Sequence, residues 1–132
     1  MGEAVGDLSL GDTIRPKVLQ SLDWNEYCKI LRRTDLGLTL MYAPHPGYPL
    51  LDLAASGSVV VTNRFGNKVS LDRYSRNIIC ADPSTTDLVR AVTEGVALAR
   101  DRTRRQQNYL ESGLQRDWET ALEPVLRVIC GG

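Results

Sequence analysis

Apolar residues along this chain fall into short runs, and these runs predict buried strands separated by amphipathic helices. Residues 35–42, 57–63 and 77–81 are apolar without the alternation of a half-exposed strand. That pattern is typical of a parallel sheet covered on both faces. Residues 17–22 predict one further short strand, and the first twelve residues offer at most one weak strand.

Two helices are predicted around the first of these buried runs. Residues 23–34 carry an apolar stripe at helical spacing, with Asp23 placed as the N-cap. Residues 48–56 predict a short helix with Pro49 in its first turn and Gly57 just past its end.

The last third of the chain is predicted to be helical. A helix capped by Ser84 or Thr85 is followed by an arginine-rich stretch, residues 100–105, which we interpret as a solvated helix face rather than a phosphate-binding patch. In the final segment Pro124 either kinks a helix or starts a new one. Its apolar residues lie at helical spacing: Trp118, Ala121, Leu122, Val125, Leu126 and Ile129.

The order strand, helix, strand, loop, strand predicts the α/β class, with a Rossmann-like parallel sheet flanked by helices. We expect residues 1–132 to form a single domain. A doubly wound domain usually has a further strand and helix before the strands at the centre of its sheet. We therefore expect the chain to be a truncated part of a larger nucleotide-binding protein.

Composition limits the classes of partner. Sixteen basic residues balance sixteen acidic ones, so nothing in the charge indicates binding to nucleic acid. The apolar runs are too short to span a membrane, and no signal-peptide pattern is present. Cys28, Cys80 and Cys130 lie about fifty residues apart, which fits free thiols rather than a zinc motif. We predict a cytoplasmic protein.

A tight loop precedes the helix of residues 48–56. Residues 43–47 hold the only histidine, two of the six prolines and Gly47. The loop follows a parallel strand, at the edge where open α/β sheets bind ligands. A helix start there favours a phosphate. Pro46 and Pro49 have no N–H, so the donors are expected from Gly47, Tyr48, Leu50 and Leu51. Asp52 either serves the helix dipole or accepts a sugar hydroxyl. A rigid turn without a ligand explains the loop equally well.

The stretch PHPGYPLLDLAASGSVVVTNRFGNK resembles the donor-binding segment of retaining-type GT-B glycosyltransferases. It is more similar to the C-terminal domain of WsaF-type rhamnosyltransferases, whose loop also reads Pro-His-Pro and whose strand is followed by Thr-Asn and an Asn-Lys. The resemblance covers residues 15–130. It implies the donor-binding half of an enzyme that moves a sugar, rhamnose from a dTDP-sugar, onto a polysaccharide or glycan acceptor.

The resemblance also implies roles for particular residues. The wider superfamily has two glutamates eight positions apart, where this chain has Pro44 and Asp52. Asp52 can therefore inherit the contact to the ribose, whereas Pro44 cannot bind the donor sugar and His45 is the nearest polar substitute. Further implied roles are donor contacts by Thr62 and Asn63, neutralisation of the diphosphate by Lys68, and a position near the base for Leu22 and Asp23.

The catalytic base and the acceptor site are expected on a missing N-terminal domain, so we expect the fragment alone to be inactive and assign no catalytic residue. No Asp-x-Asp motif is present, and a helix start can stabilise a leaving diphosphate without a cation, so no metal and no cofactor are expected. The expected partners are a nucleotide sugar and, through the missing domain, a glycan acceptor. Self-association through the exposed interdomain face and peripheral membrane association of the full-length enzyme are also expected. Two alternatives stay open: a sugar-nucleotide epimerase of the same plan, and a non-catalytic α/β interaction module.

Overall fold

The structure is a computed structural model that describes residues 9–130. In this part of the chain the elements follow in the order α1 (Trp24–Arg33), β1 (Leu36–Thr39), α2 (Tyr48–Ala55), β2 (Val59–Asn63), β3 (Ile78–Ala81), α3 (Thr85–Arg100), α4 (Arg102–Leu110) and α5 (Trp118–Cys130). The strands form one parallel sheet in the order β1-β2-β3. The predicted α/β class, a Rossmann-like parallel sheet flanked by helices, is confirmed.

The central strand β2 is buried along its whole length, because helices cover both of its faces. Successive side chains of a strand point to opposite faces. Val60 accordingly packs in a cluster with Leu50 and Ala54 of α2, and Val61 packs in a second cluster with Ala91 of α3. Two apolar cores, one on each face, hold the sheet between α2 and α3.

The strand β1 differs from the expectation that residues 35–42 are covered on both faces. It is shorter, ending at Thr39, and Leu38 and Leu40 are 54% and 56% exposed. Among the described residues β1 pairs with β2 alone and so forms an edge of the sheet. An apolar run indicates a strand, but it does not indicate whether the strand pairs with one neighbouring strand or with two.

The predicted starts of the first three helices are confirmed, and so is the predicted end of α2. In α1, Asp23 Oδ1 accepts the Glu26 N–H (2.9 Å) and Glu26 Oε2 accepts the Asp23 N–H (3.4 Å), a capping box. In α2, Pro49 lies in the first turn and Gly57 follows the helix end. For α3 it is Ser84 that caps, with its hydroxyl accepting the Asp87 N–H.

The predicted strand over residues 17–22 is wrong. This segment is irregular, Val18 and Leu19 are 41% and 44% exposed, and Ser21 has a φ of 52° that interrupts extended backbone. The weak strand expected in the first twelve residues falls mostly on residues 1–8, outside the described residues. Beyond them, Leu10 and Ile14 form an isolated antiparallel bridge.

The arginine-rich stretch is not one continuous helical face. Asp101 separates α3 from α4 and caps α4 by accepting the Arg104 N–H (3.0 Å). Arg105 Nη1 donates to Asp35 Oδ1 (2.7 Å) and thereby ties α4 to the start of β1. The remaining arginines of the stretch are exposed, as expected.

The final helix is continuous, with Pro124 inside it rather than at a new start. Its apolar residues are largely exposed: Trp118 81%, Leu122 43%, Val125 51%, Leu126 51%, Val128 82% and Ile129 72%. Within residues 9–130, no helix is both long enough and apolar enough to cross a bilayer.

Candidate functional site

The loops that follow β1 and β2 are joined at the carboxyl edge of the sheet by the side chain of Asn63. Its Oδ1 accepts the Met41 N–H (2.7 Å), and its Nδ2 donates to Met41 O and to Arg64 O (both 3.1 Å). Asn63 is 4% exposed. Its amide therefore fixes the path of the loop that leads into α2.

Lys68 lies under the same loop. Only 2% of the residue is exposed, and its Nζ donates to Met41 O (3.3 Å). No carboxylate within residues 9–130 forms an ion pair with it. Burial lowers the pKa of the Lys68 ammonium, because removal from water disfavours the charged form. The carboxyl edge thus holds a positive charge that no described carboxylate pairs.

The start of α2 packs against Met41 as well. Gly47, the residue before the helix, has a φ of 80°, and a Cβ at this position would lie 3.0 Å from Met41 Sδ. Glycine meets both requirements, since it tolerates positive φ and has no side chain. Met41 therefore contacts the helix start through its sulfur and the Lys68 ammonium through its carbonyl.

Three N–H groups at the start of α2 have no acceptor among the described residues: those of Gly47, Tyr48 and Leu50. The Leu51 N–H, which we also expected to be free, donates to Gly47 O (3.3 Å). The unpaired N–H groups carry the positive end of the helix dipole.

A shallow depression of about 480 Å³ lies over this helix start. It brings together five of the predicted site residues, His45, Pro46, Gly47, Tyr48 and Leu51. His45 and Tyr48 are exposed. The Leu50 side chain is fully buried in the core, so that residue offers only its N–H.

Asp52 does not line this depression; its carboxylate is directed to α1. Tyr27 donates its hydroxyl to Asp52 Oδ2 at 2.9 Å. Burial raises the pKa of Tyr27 to about 12, and the hydrogen bond to Asp52 adds to the effect. The phenol therefore keeps its proton at neutral pH and can donate it to the Asp52 carboxylate in a hydrogen bond.

Thr62 and Asn63 do not line the depression, and both are buried. Thr62 pairs in register with Thr39, whose buried Oγ1 has no partner among the described residues. Asn63 acts on the loop through Met41.

The sequence did not indicate a role at this site for Met41 or Tyr27. Met41 lies at the end of an apolar run and gives no signal of its own. In the sequence, Tyr27 belongs to the apolar stripe of residues 23–34, although a half-buried tyrosine hydroxyl needs a hydrogen-bond partner. In the described part of the chain, no group of three or more His, Cys, Asp or Glu side chains is arranged to hold a metal ion.

Comparison with known proteins places the chain in a family. Residues 1–93 match the family model described as WsaF, C-terminal domain, and this range contains all the predicted site residues. The O-antigen biosynthesis protein RfbC of Myxococcus xanthus is 28% identical over 98 residues, which are 74% of this chain and 8% of that protein. The chain thus spans a small part of this relative's length. No solved structure matches the chain. Because the family model covers most of the sequence, the chain belongs to the family of WsaF C-terminal domains.

Proposed function

We propose that this chain binds the nucleoside diphosphate sugar donor of a glycosyltransferase that acts in polysaccharide biosynthesis. Membership of the WsaF C-terminal domain family supports this role, as does the relative named for O-antigen biosynthesis. The finer proposal is a GT-B enzyme that moves rhamnose from a dTDP-sugar onto a glycan acceptor. The acceptor site and the base then lie on another domain, and this chain alone catalyses no transfer.

One observation carries the proposal: Lys68 and the start of α2 meet at Met41. The ammonium binds the Met41 carbonyl, and the helix start packs on the Met41 sulfur. A buried cation without a described counter-charge and a set of unpaired N–H groups both favour an anion. A diphosphate at this edge would be stabilised further as it leaves, because charge develops on it during transfer.

The nucleoside and the sugar occupy opposite sides of the diphosphate in this proposal. Asp52 accepts a hydroxyl of the nucleoside pentose through Oδ1, which has no described donor. His45 precedes the helix start and lies nearer the transferred sugar. Lys68 is too buried to contact the ligand freely, so it contributes positive charge beneath the loop.

Calorimetry with dTDP and dTDP-rhamnose on two variants tests this arrangement. A hydrogen bond to a charged carboxylate contributes about 1.5–3 kcal/mol, so Asp52→Ala should weaken dTDP binding roughly ten- to hundredfold. His45→Ala should spare dTDP and weaken only dTDP-rhamnose. Asp72→Ala, which removes an exposed carboxylate, is the control and should change neither affinity.

An unchanged affinity in Asp52→Ala, or equal losses for both ligands in His45→Ala, would contradict the assigned positions. Failure of the unmodified chain to bind either nucleotide would favour the non-catalytic interaction module. Product analysis on the full-length protein separates sugar transfer from epimerisation.

A further inference from the structure

We infer that Tyr27 is a positioning residue for the nucleoside of the donor: its hydroxyl holds one oxygen of Asp52 and leaves the other to accept a pentose hydroxyl. This inference rests on the proposed function, in which Asp52 binds that pentose. It adds a residue on α1 to a site otherwise formed by the loops and α2.

The contact joins two helices that are distant in sequence. Tyr27 and Asp52 are 25 residues apart, and the phenol oxygen lies 2.9 Å from Asp52 Oδ2. An ionised carboxylate only accepts hydrogen bonds, so the phenol is the donor. Hydrogen bonds to charged groups are stronger than neutral ones, so the rotamer of Asp52 is well determined.

The Tyr27 end of the contact is itself fixed. The capping box at Asp23 and Glu26 defines the first turn of α1, and the Tyr27 N–H donates to Asp23 O (3.0 Å). The Tyr27 ring also lies beside the Trp24 ring, with 5.8 Å between their centroids. A donor on a well-defined helical turn can orient a carboxylate better than one on a mobile loop.

The Asp52 end keeps a free acceptor. Within residues 9–130 the carboxylate accepts from Tyr27 and from no other donor. Oδ1 therefore keeps its hydrogen-bonding capacity for a ligand. Because its partner oxygen is already held, less rotamer entropy is lost when a hydroxyl binds.

The phenol of Tyr27 is protonated at neutral pH, as the hydrogen bond to Asp52 requires. Burial and the hydrogen bond to Asp52 raise the pKa of Tyr27 to about 12, so the phenol keeps its proton and is able to donate to Asp52.

The test compares dTDP with 3′-deoxythymidine diphosphate, which lacks the pentose hydroxyl, in the full 132-residue chain. Tyr27→Phe removes the phenol oxygen and keeps the ring. We expect it to weaken dTDP binding roughly three- to tenfold and to leave the affinity for the 3′-deoxy analogue unchanged. In the Asp52→Ala background the same change should have no further effect on dTDP.

Tyr74→Phe is the matched control, because this half-buried phenol accepts from Arg73 Nη2 (2.9 Å) in a part of the chain outside the site. It should change neither affinity. A Tyr27→Phe variant that loses equal affinity for both ligands, or for neither, would show that Tyr27 only ties α1 to α2. If the unmodified chain binds dTDP and its 3′-deoxy analogue equally, the pentose role of Asp52 fails and the inference with it, although nucleotide binding stands. If it binds neither, the proposed function itself fails.

Discussion

Lys68 is a buried charged residue without a described counter-charge. Its ammonium is almost wholly buried and has one described hydrogen bond, to Met41 O (3.3 Å). Burial of a charge without a counter-charge is unfavourable. Such locally unfavourable features are expected at functional sites. The buried ammonium therefore lowers stability, which is consistent with the anion-binding role proposed for it.

Lys68→Met should therefore stabilise the protein and weaken anion binding. Removing the buried charge should raise the free energy of unfolding by about 1 kcal/mol near neutral pH, as measured by urea denaturation. The pKa of Lys68 is lower in the folded state than its ordinary 10.5, so the unfolded chain binds more protons between these two values and wild-type stability rises with pH there. The difference in free energy of unfolding between Lys68→Met and the wild type should therefore decrease as pH approaches 10.5.

Binding of pyrophosphate, measured by calorimetry, should fall in the same variant. Lys29→Met, which removes an exposed lysine on α1, is the control and should change neither stability nor binding appreciably. A loss of stability in Lys68→Met with unchanged pyrophosphate affinity would show that the ammonium is a structural tie for the loop.

The types of residue at the site could be predicted from the sequence, but their mutual contacts could not. His45 to Leu51 were identified because they precede and open a helix after a strand, a local pattern. The hydrogen bonds of Asn63 and Lys68 to Met41 depend on how two loops pass each other, which no periodicity encodes. The contact between Tyr27 and Asp52 likewise depends on the packing of two helices.

At the scale of elements, the sequence pattern predicted the helix boundaries that are defined by local capping and turn residues. The capping box of α1 and the Pro49 and Gly57 signals around α2 are examples. It failed at residues 17–22, because an apolar composition predicts a strand even where no neighbour pairs with it. It also missed the break between α3 and α4, although Asp101 is a good N-cap and was the available signal.

The approach of α3 to the sheet depends on a residue without a side chain. A Cβ on Gly95 would lie 2.9 Å from Leu36 Cδ1 and 3.2 Å from Val61 Cγ2, and Gly95 is buried. Leu36 can rotate away, but Val61 is held in the central strand. A larger residue would therefore push α3 from the sheet.

We expect Gly95→Val to lower the free energy of unfolding by about 1–3 kcal/mol, the usual range for overpacking. Thermal or urea denaturation provides the measurement. Ala97→Val introduces the same side chain at an exposed position of α3 and controls for the helix propensity of valine. Equal losses in the two variants would contradict close packing at Gly95.

At the scale of the whole molecule, the described chain leaves two apolar surfaces without a cover. One is the β1 edge with Leu38 and Leu40, and the other is the apolar side of α5. Contiguous exposed patches on soluble proteins usually mark contacts with other proteins or domains. The sequence indicated the amphipathic residues of α5 but not that they would lack a partner.

The chain by itself should consequently self-associate. Sedimentation should show a mean mass that rises with concentration, and Leu126→Asp on α5 should lower that association. Thr120→Asp places the same charge at a polar position of the helix and should have little effect. A strict monomer at high concentration would contradict this expectation.

Met41, through which Asn63, Lys68 and the start of α2 are connected, has a consequence in redox chemistry. It is 37% exposed, and its sulfur lies against Gly47. Oxidation to the sulfoxide makes a flexible apolar side chain polar and bulkier. A single added oxygen would disturb the packing beneath the helix start, and through the Met41 backbone it would reach the Asn63 amide and the Lys68 ammonium as well. Oxidation of this one sulfur would therefore act on both loops at the carboxyl edge of the sheet.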